Sequence, residues 1–277
     1  MPRRWPALML VAIVAAACTN DRGSQSVKDA KVVDPAAQRY AGSATVVETR
    51  DHGPELCVDT SGVPPTCQGV PVTNWRWDQV QGERSTKGTT WGGYRVVGVY
   101  DGKTFTLTER PGPPGPSTLF SDEPLTTPCS PPADGWHPVD AGRANEQAMN
   151  AAVAAARQAP GFAGLWIVSA GMVDQVLNVA FTEDLDRREA EVRQRWGGAL
   201  CVVRHERTLR ELRNIQGEFS APAGAPFGLR LLGVSVDEPA NEVVIIAVLV
   251  DVDARRAIDA RYPGAVRVVT ALAPVAA

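Results

Sequence analysis

The stretch EVVIIAVLV, residues 242–250, is apolar at nearly every position. A strand with that pattern is covered on both faces, so it predicts a central strand in a buried sheet. A repeated order of elements surrounds it. Upstream, ERTLRELRNIQGEF (206–219) places Leu209, Leu212, Ile215 and Phe219 in line at helical spacing. Thr208 and Glu211 have the spacing of a capping box at its start. LRLLGVSVD (229–237) reads as a strand. Downstream, DVDARRAIDARYPG (251–264) reads as a short helix and AVRVVTAL (265–272) as a final strand.

The preceding segment has the same grammar. RANEQAMNAAVAAARQ (143–158) puts Ala148, Met149, Ala152, Val153 and Ala156 on one helical face. GLWIVSAG (164–171) and VLNVAF (176–181) read as strands. TEDLDRREAEVRQRWG (182–197) reads as a helix with Leu185, Val192 and Trp196 on one side, Thr182 as its N-cap and acids in its first turn. ALCVV (199–203) closes the unit. A shift of 66 residues brings Trp196-Gly197-Gly198 onto Tyr262-Pro263-Gly264, Val192 onto Ile258 and Val202-Val203 onto Val268-Val269. Residues 139–277 are therefore read as an α+β domain of two αββαβ repeats, 139–204 and 205–277. Helices cover one face of a sheet, and the two units share one core.

Residues 40–110 show no helical period. ATVVETR (44–50) and ELCVD (55–59) are short apolar runs. Tyr94, Val96 and Tyr100, then Phe105 and Leu107, mark two strands around an Asp101-Gly102 turn. This is a small all-β domain of about five strands, a partly open barrel or a compact sandwich. Residues 111–138 hold nine of the 22 prolines and read as a semi-rigid linker.

The chain has 277 residues, 44% of them hydrophobic and 21% charged, enough for one sizeable core or two modest ones. A net charge of −3 provides no basic field, so composition lends no support to a nucleic-acid partner. At the amino end, MPRRWPALMLVAIVAAACTN has Arg3 and Arg4, an apolar run from Ala7 to Ala17, and Cys18 after three alanines. The apolar run is shorter than the roughly 20 residues that a spanning helix needs, and the order is that of a secretory signal. The Ala15-Ala16-Ala17-Cys18 junction resembles the lipobox of bacterial lipoproteins, with Ala15 where Leu is common. The resemblance implies a signal over 1–17, diacylglyceryl modification of Cys18, and anchoring to the extracytoplasmic face of the cell membrane. Residues 18–39 then form a flexible polar tether. Loss of Arg3 and Arg4 with the signal moves the net charge from −3 to −5.

With Cys18 lipidated, Cys57, Cys67, Cys129 and Cys201 remain. An even number in an exported chain suggests two disulfides. Cys57 and Cys67 flank the turn-forming run SGVPPT, which favours a local bridge, leaving Cys129 with Cys201. Four cysteines allow three connectivities.

Catalytic patterns are sparse. GxSxG, CxxC and HxxxH are absent, and His52, His137 and His205 fall in different elements. Glu183, Asp184 and Asp186, and likewise Asp251 and Asp253, sit at helix starts, where the helix dipole accounts for them. No catalytic residue, metal site or cofactor is expected. The most unusual patch is Trp75, Arg76, Trp77, Trp91 and Tyr94, with Trp75 and Trp77 on one face of a strand. Aromatic and Arg side chains are typical recognition anchors. The same rings could instead form the core of a β-domain poor in other large residues.

The αββαβ unit with the turn VDEPANEVVI (236–245) resembles the pro-region modules of secreted chymotrypsin-like bacterial proteases, which chaperone and inhibit their own protease. The β-half is similar to uncharacterised exported lipoproteins of high-GC bacteria. The expectation is a membrane-anchored, non-enzymatic module that binds a protein or envelope ligand. The alternatives are an envelope hydrolase and an inhibitor or chaperone of a secreted serine protease.

Overall fold

A computed structural model describes residues 37–57, 60, 62–115, 124–169, 175–220 and 226–275. Cys18, the signal and nearly all of the tether lie outside the described residues. The protein is α+β, and the described residues form four α-helices and three sheets.

Alternation of small and apolar residues builds the first sheet. Its strands are β1 (Tyr40–Glu48), β2 (Glu55–Cys57), β3 (Val70–Thr73), β4 (Arg84–Thr86), β5 (Thr89–Tyr100) and β6 (Phe105–Leu107). β1 pairs with β2, β2 with β3, β3 with β6, β6 with β5, and β5 back with β1. The ring is therefore closed, with β3–β6 its one parallel pair. This five-strand closure is that of an OB-type barrel. Val46, Leu56, Val70, Val72, Tyr94, Val96, Phe105 and Leu107 fill it. The Asp101 carboxylate accepts from the amides of Lys103 and Thr104 and fixes the β5–β6 turn.

The barrel is not a self-contained bead. β13 (Ala273–Pro274) adds to β1, and Val248 and Leu272 sit inside the barrel core. Gly42 makes the approach feasible: a Cβ there would lie 2.2 Å from the Ala271 carbonyl oxygen.

The rest of the chain runs α1 (Glu146–Gln158), β7 (Phe162–Ser169), β8 (Gln175–Phe181), α2 (Leu185–Arg193), β9 (Leu200–Arg204), α3 (Leu209–Phe219), β10 (Leu231–Asp237), β11 (Glu242–Ala247), α4 (Val252–Arg261) and β12 (Val266–Thr270). Two three-stranded sheets result, β7-β8-β9 and β10-β11-β12. In each the first pair is antiparallel and the second parallel. β11 is central in its sheet, and Val243 to Val248 are all buried.

The expectation of one shared core needs correction. Each sheet has its own core, with Leu177, Val179 and Phe181 in the first and Val243, Ile245 and Ile258 in the second. α3 spans both. Leu209 enters the first core while Leu212 and Phe219 enter the second, so the single apolar face of the helix, with these residues in line, lies across both cores. One contact crosses the boundary between the sheets. β7, an edge strand, carries a bulge between Phe162 and Gly164, and the nearby amide of Leu165 donates to the Glu238 carboxylate at 2.7 Å.

α3 begins with the full Thr208/Glu211 capping box. α2 does not begin at Thr182. Its N-cap is Asp184 in left-handed backbone, φ 54°, with no side-chain cap bond, and Thr182 instead receives a hydrogen bond from Arg204 on its carbonyl. The expected linker also differs from a spacer. Gly112 bridges to Arg95, and Gly115 bonds the Ser43 hydroxyl. Residues 124–138 run as a strap over the helix-free face of β7-β8-β9. There Cys129 and Trp136 pack against Val176, Ala199 and Cys201.

Both disulfides are present, Cys57–Cys67 and Cys129–Cys201, with Cα separations of 6.0 and 5.8 Å. The first staples the loop between β2 and β3. The second nails the strap to β9.

Candidate functional site

The tryptophan-rich patch is not one exposed surface. Trp77 opens a short 3-10 turn, so Trp75 and Trp77 do not share a strand face. Trp75, Trp77 and Tyr94 instead meet edge to face, with ring centroids 5.2, 5.2 and 6.2 Å apart. Tyr94 is 2% exposed and belongs to the barrel core, with both tryptophans packed on it. Its ring folds over Gly92, where a Cβ would lie 2.4 Å from the Tyr94 hydroxyl. Trp77 Nε1 donates to Glu48. Trp91 lies three positions from Tyr94 on β5, and so on the opposite face. Arg76 is exposed and forms a bidentate pair with Asp78 at 3.0 and 2.7 Å. The patch is therefore a core wedge of three rings, with Arg76 and Trp91 pointing elsewhere.

The structure brings together a different group. A cleft of about 970 Å3 opens where the strap and the two three-stranded sheets meet. One wall is Leu165 and Trp166 of β7 with Val203, Arg204 and His205 at the end of β9. The other is the helix-free face of β10-β11-β12. Its rows follow from register: Ser235 opposite Val244, and Val244 beside Arg267. Ile246 continues the floor, and Val248 then dives into the barrel core. Pro124, Leu125, Thr126 and Pro128 of the strap form the lip.

The cleft has an apolar floor and an ionic end. Arg267 joins Glu242 and Asp237, the latter at 3.0 Å, across three neighbouring strands. Trp166 is 7% exposed, donates its Nε1 to the Thr126 carbonyl at 2.9 Å and stacks on His205 with ring centroids 6.0 Å apart. Burial pushes the His205 imidazole below its ordinary pKa, which favours its neutral form. Its Nδ1 is buried with no hydrogen-bond partner. No hydrogen bond links His205 to Ser235 or Asp237 among the described residues. Asp237 is held by Arg267 and by the Ala240 amide.

The turn between β10 and β11 fixes the walls. Glu238 binds the Leu165 amide, and Asn241 exchanges two hydrogen bonds with the Arg207 backbone at 2.9 and 2.8 Å. The cleft is thus preformed, apolar in its depth and polar at its edge, as small-ligand and peptide sites are. Among the described residues no group of three or more His, Cys, Asp or Glu could hold a metal ion, and no helix is long and apolar enough to cross a membrane.

Sequence reasoning passed over Trp166 and His205. They lie 39 residues apart, and only the pairing of β7, β8 and β9 makes them neighbours. The chain matches no protein-family model and no curated protein.

Proposed function

We propose that this protein is a lipid-anchored binding module of the cell envelope, tethered through Cys18. Its layout is a barrel module followed by a two-unit α+β module. It takes an extended, partly apolar protein segment into the cleft between its sheets. One observation carries the reading: Trp166, Val244 and Ile246 line a preformed cleft that ends in the charged Arg267 cluster. An apolar floor supplies affinity, and a charged end sets direction.

Two measurements test it. Mass spectrometry of native material should find the chain beginning at an acylated Cys18, and Cys18→Ala should release it from membranes. A photo-crosslinking residue at Leu125, on the lip and 54% exposed, should trap a partner that the same residue at Val252 does not. Trp166→Ala should abolish the adduct. An adduct formed equally from both positions would refute the cleft.

A hydrolase is the second reading, favoured by His205, Ser235 and Asp237 all lining one cleft. A fluorophosphonate probe separates the two. Covalent labelling of Ser235 supports hydrolysis, and its absence supports binding alone.

A further inference from the structure

A second cavity, of about 800 Å3, lies on the other side of the first unit, between the end of α1 and the start of α3. Its polar lining includes Arg157, Arg210, Arg213, Thr182 and Glu183, above a base formed by Phe162 and Leu209. The three arginines are distinctive. Every other arginine between 139 and 275 makes a hydrogen bond or ion pair: Arg187 and Arg188 with Glu191, Arg204 with the Thr182 carbonyl, Arg207 with the Pro263 carbonyl, Arg255 with Asp259, Arg261 with Glu218. The remaining ones, Arg143, Arg193, Arg195, Arg230, Arg256 and Arg267, do the same. Arg157, Arg210 and Arg213 form no hydrogen bond or ion pair among the described residues, although Arg210 acts on Glu211 through space, and all three line this cavity.

Folding does not account for all of them. Arg157 in the last turn of α1 suits the negative end of that helix. Arg210 is the second residue of α3, at the positive end, where a cation is unfavourable. Glu211 beside it is already committed to the Thr208 cap. Glu183 is the one carboxylate on the lining without such a commitment, and it forms no ion pair with the three guanidinium groups. They outnumber it.

We propose that this cavity is a binding site for a phosphate-bearing ligand. Planar guanidinium forks match phosphate oxygens bidentately, and three of them with the Thr182 hydroxyl can surround one phosphate group. The chemistry is shared by a free phosphoester and an anionic lipid headgroup. The site does not depend on the cleft described above.

The test uses the full chain in neutral detergent and follows the arginine Nε–H resonances. One arm titrates pyrophosphate. The other adds short-chain phosphatidylglycerol, with phosphatidylcholine as its neutral counterpart. Shifts at Arg157, Arg210 and Arg213 in the first arm alone assign a soluble phosphate ligand, and in the second arm alone a headgroup. The triple variant R157Q/R210Q/R213Q should bind at least about tenfold more weakly. R187Q/R255Q/R256Q removes the same charge from exposed pairs elsewhere and should leave affinity unchanged. Glu183→Gln should strengthen binding by removing a like charge. No shift in either arm, or an equal loss in both triple variants, overturns the proposal.

Discussion

The Glu238 carboxylate accepts the backbone amide of Leu165 at 2.7 Å, across the boundary between the two αββαβ units. A turn in one unit thereby satisfies the bulged edge of a strand in the other. Removing the carboxylate leaves a part-buried amide without a partner. Glu238→Ala should lower unfolding stability by about 1–3 kcal/mol. Chemical denaturation measures the loss, and hydrogen exchange should quicken first at Leu165. Unchanged exchange there would show that the bond does not hold the units together.

His205 gives the molecule a pH dependence of known sign. Burial lowers its folded pKa, while the unfolded chain titrates near about 6.5. Below about pH 6.5 the unfolded state therefore binds more protons. The contribution is complete above that value and declines as pH falls toward the folded pKa. Asp140, Glu191, Glu211 and Glu218 are held below the usual carboxylate range by hydrogen bonds from Arg143, Arg188, Thr208 and Tyr262 respectively, so they act at lower pH. Melting curves between pH 5 and 7 should slope in the wild type and flatten in His205→Gln.

The Cys129–Cys201 bridge closes a loop of 72 residues. The chain-entropy relation gives about 4 kcal/mol for that length. Cys129→Ser with Cys201→Ser should lose stability of that order. The strap should also loosen, freeing Trp166 Nε1 from the Thr126 carbonyl. A red shift in tryptophan emission reads the second effect.

Gly92→Ala tests the ring wedge. The new methyl would meet the Tyr94 hydroxyl at 2.4 Å, and overpacking of that kind costs about 1–3 kcal/mol. Gly102→Ala controls for general loss of a glycine, since a methyl there meets nothing within 4 Å, although its φ of 92° adds local strain. If Gly92→Ala costs no more than Gly102→Ala, the close packing over Gly92 carries no weight.

Local signals were readable and distant ones were not. The Thr208/Glu211 box, the α1 face and the Asp101-Gly102 turn are set by neighbours a few residues apart, and each appears where spacing put it. The Cys57–Cys67 pairing was legible because a turn lies between them. What spacing missed is tertiary. Nothing in Ala273-Pro274 announces a strand that joins β1. Asp184 takes the left-handed backbone that Asp tolerates better than most residues, but nothing in its spacing marks it as the N-cap. Trp75 and Trp77 looked like strand neighbours, but the chain turns at Trp77 to seat both rings on Tyr94. The cleft is not legible in the sequence for the same reason, since its lining comes from six separate stretches of chain.

The seam between β1 and β13 fixes an order of events during synthesis. A polypeptide made amino end first delivers Val46 and Val96 long before Val248 and Leu272 arrive to cover them. The barrel interior cannot be fully covered until the last strand is made. Its maturation is therefore tied to completion of the whole molecule, and a truncated product would be left with an open seam that proteases can enter.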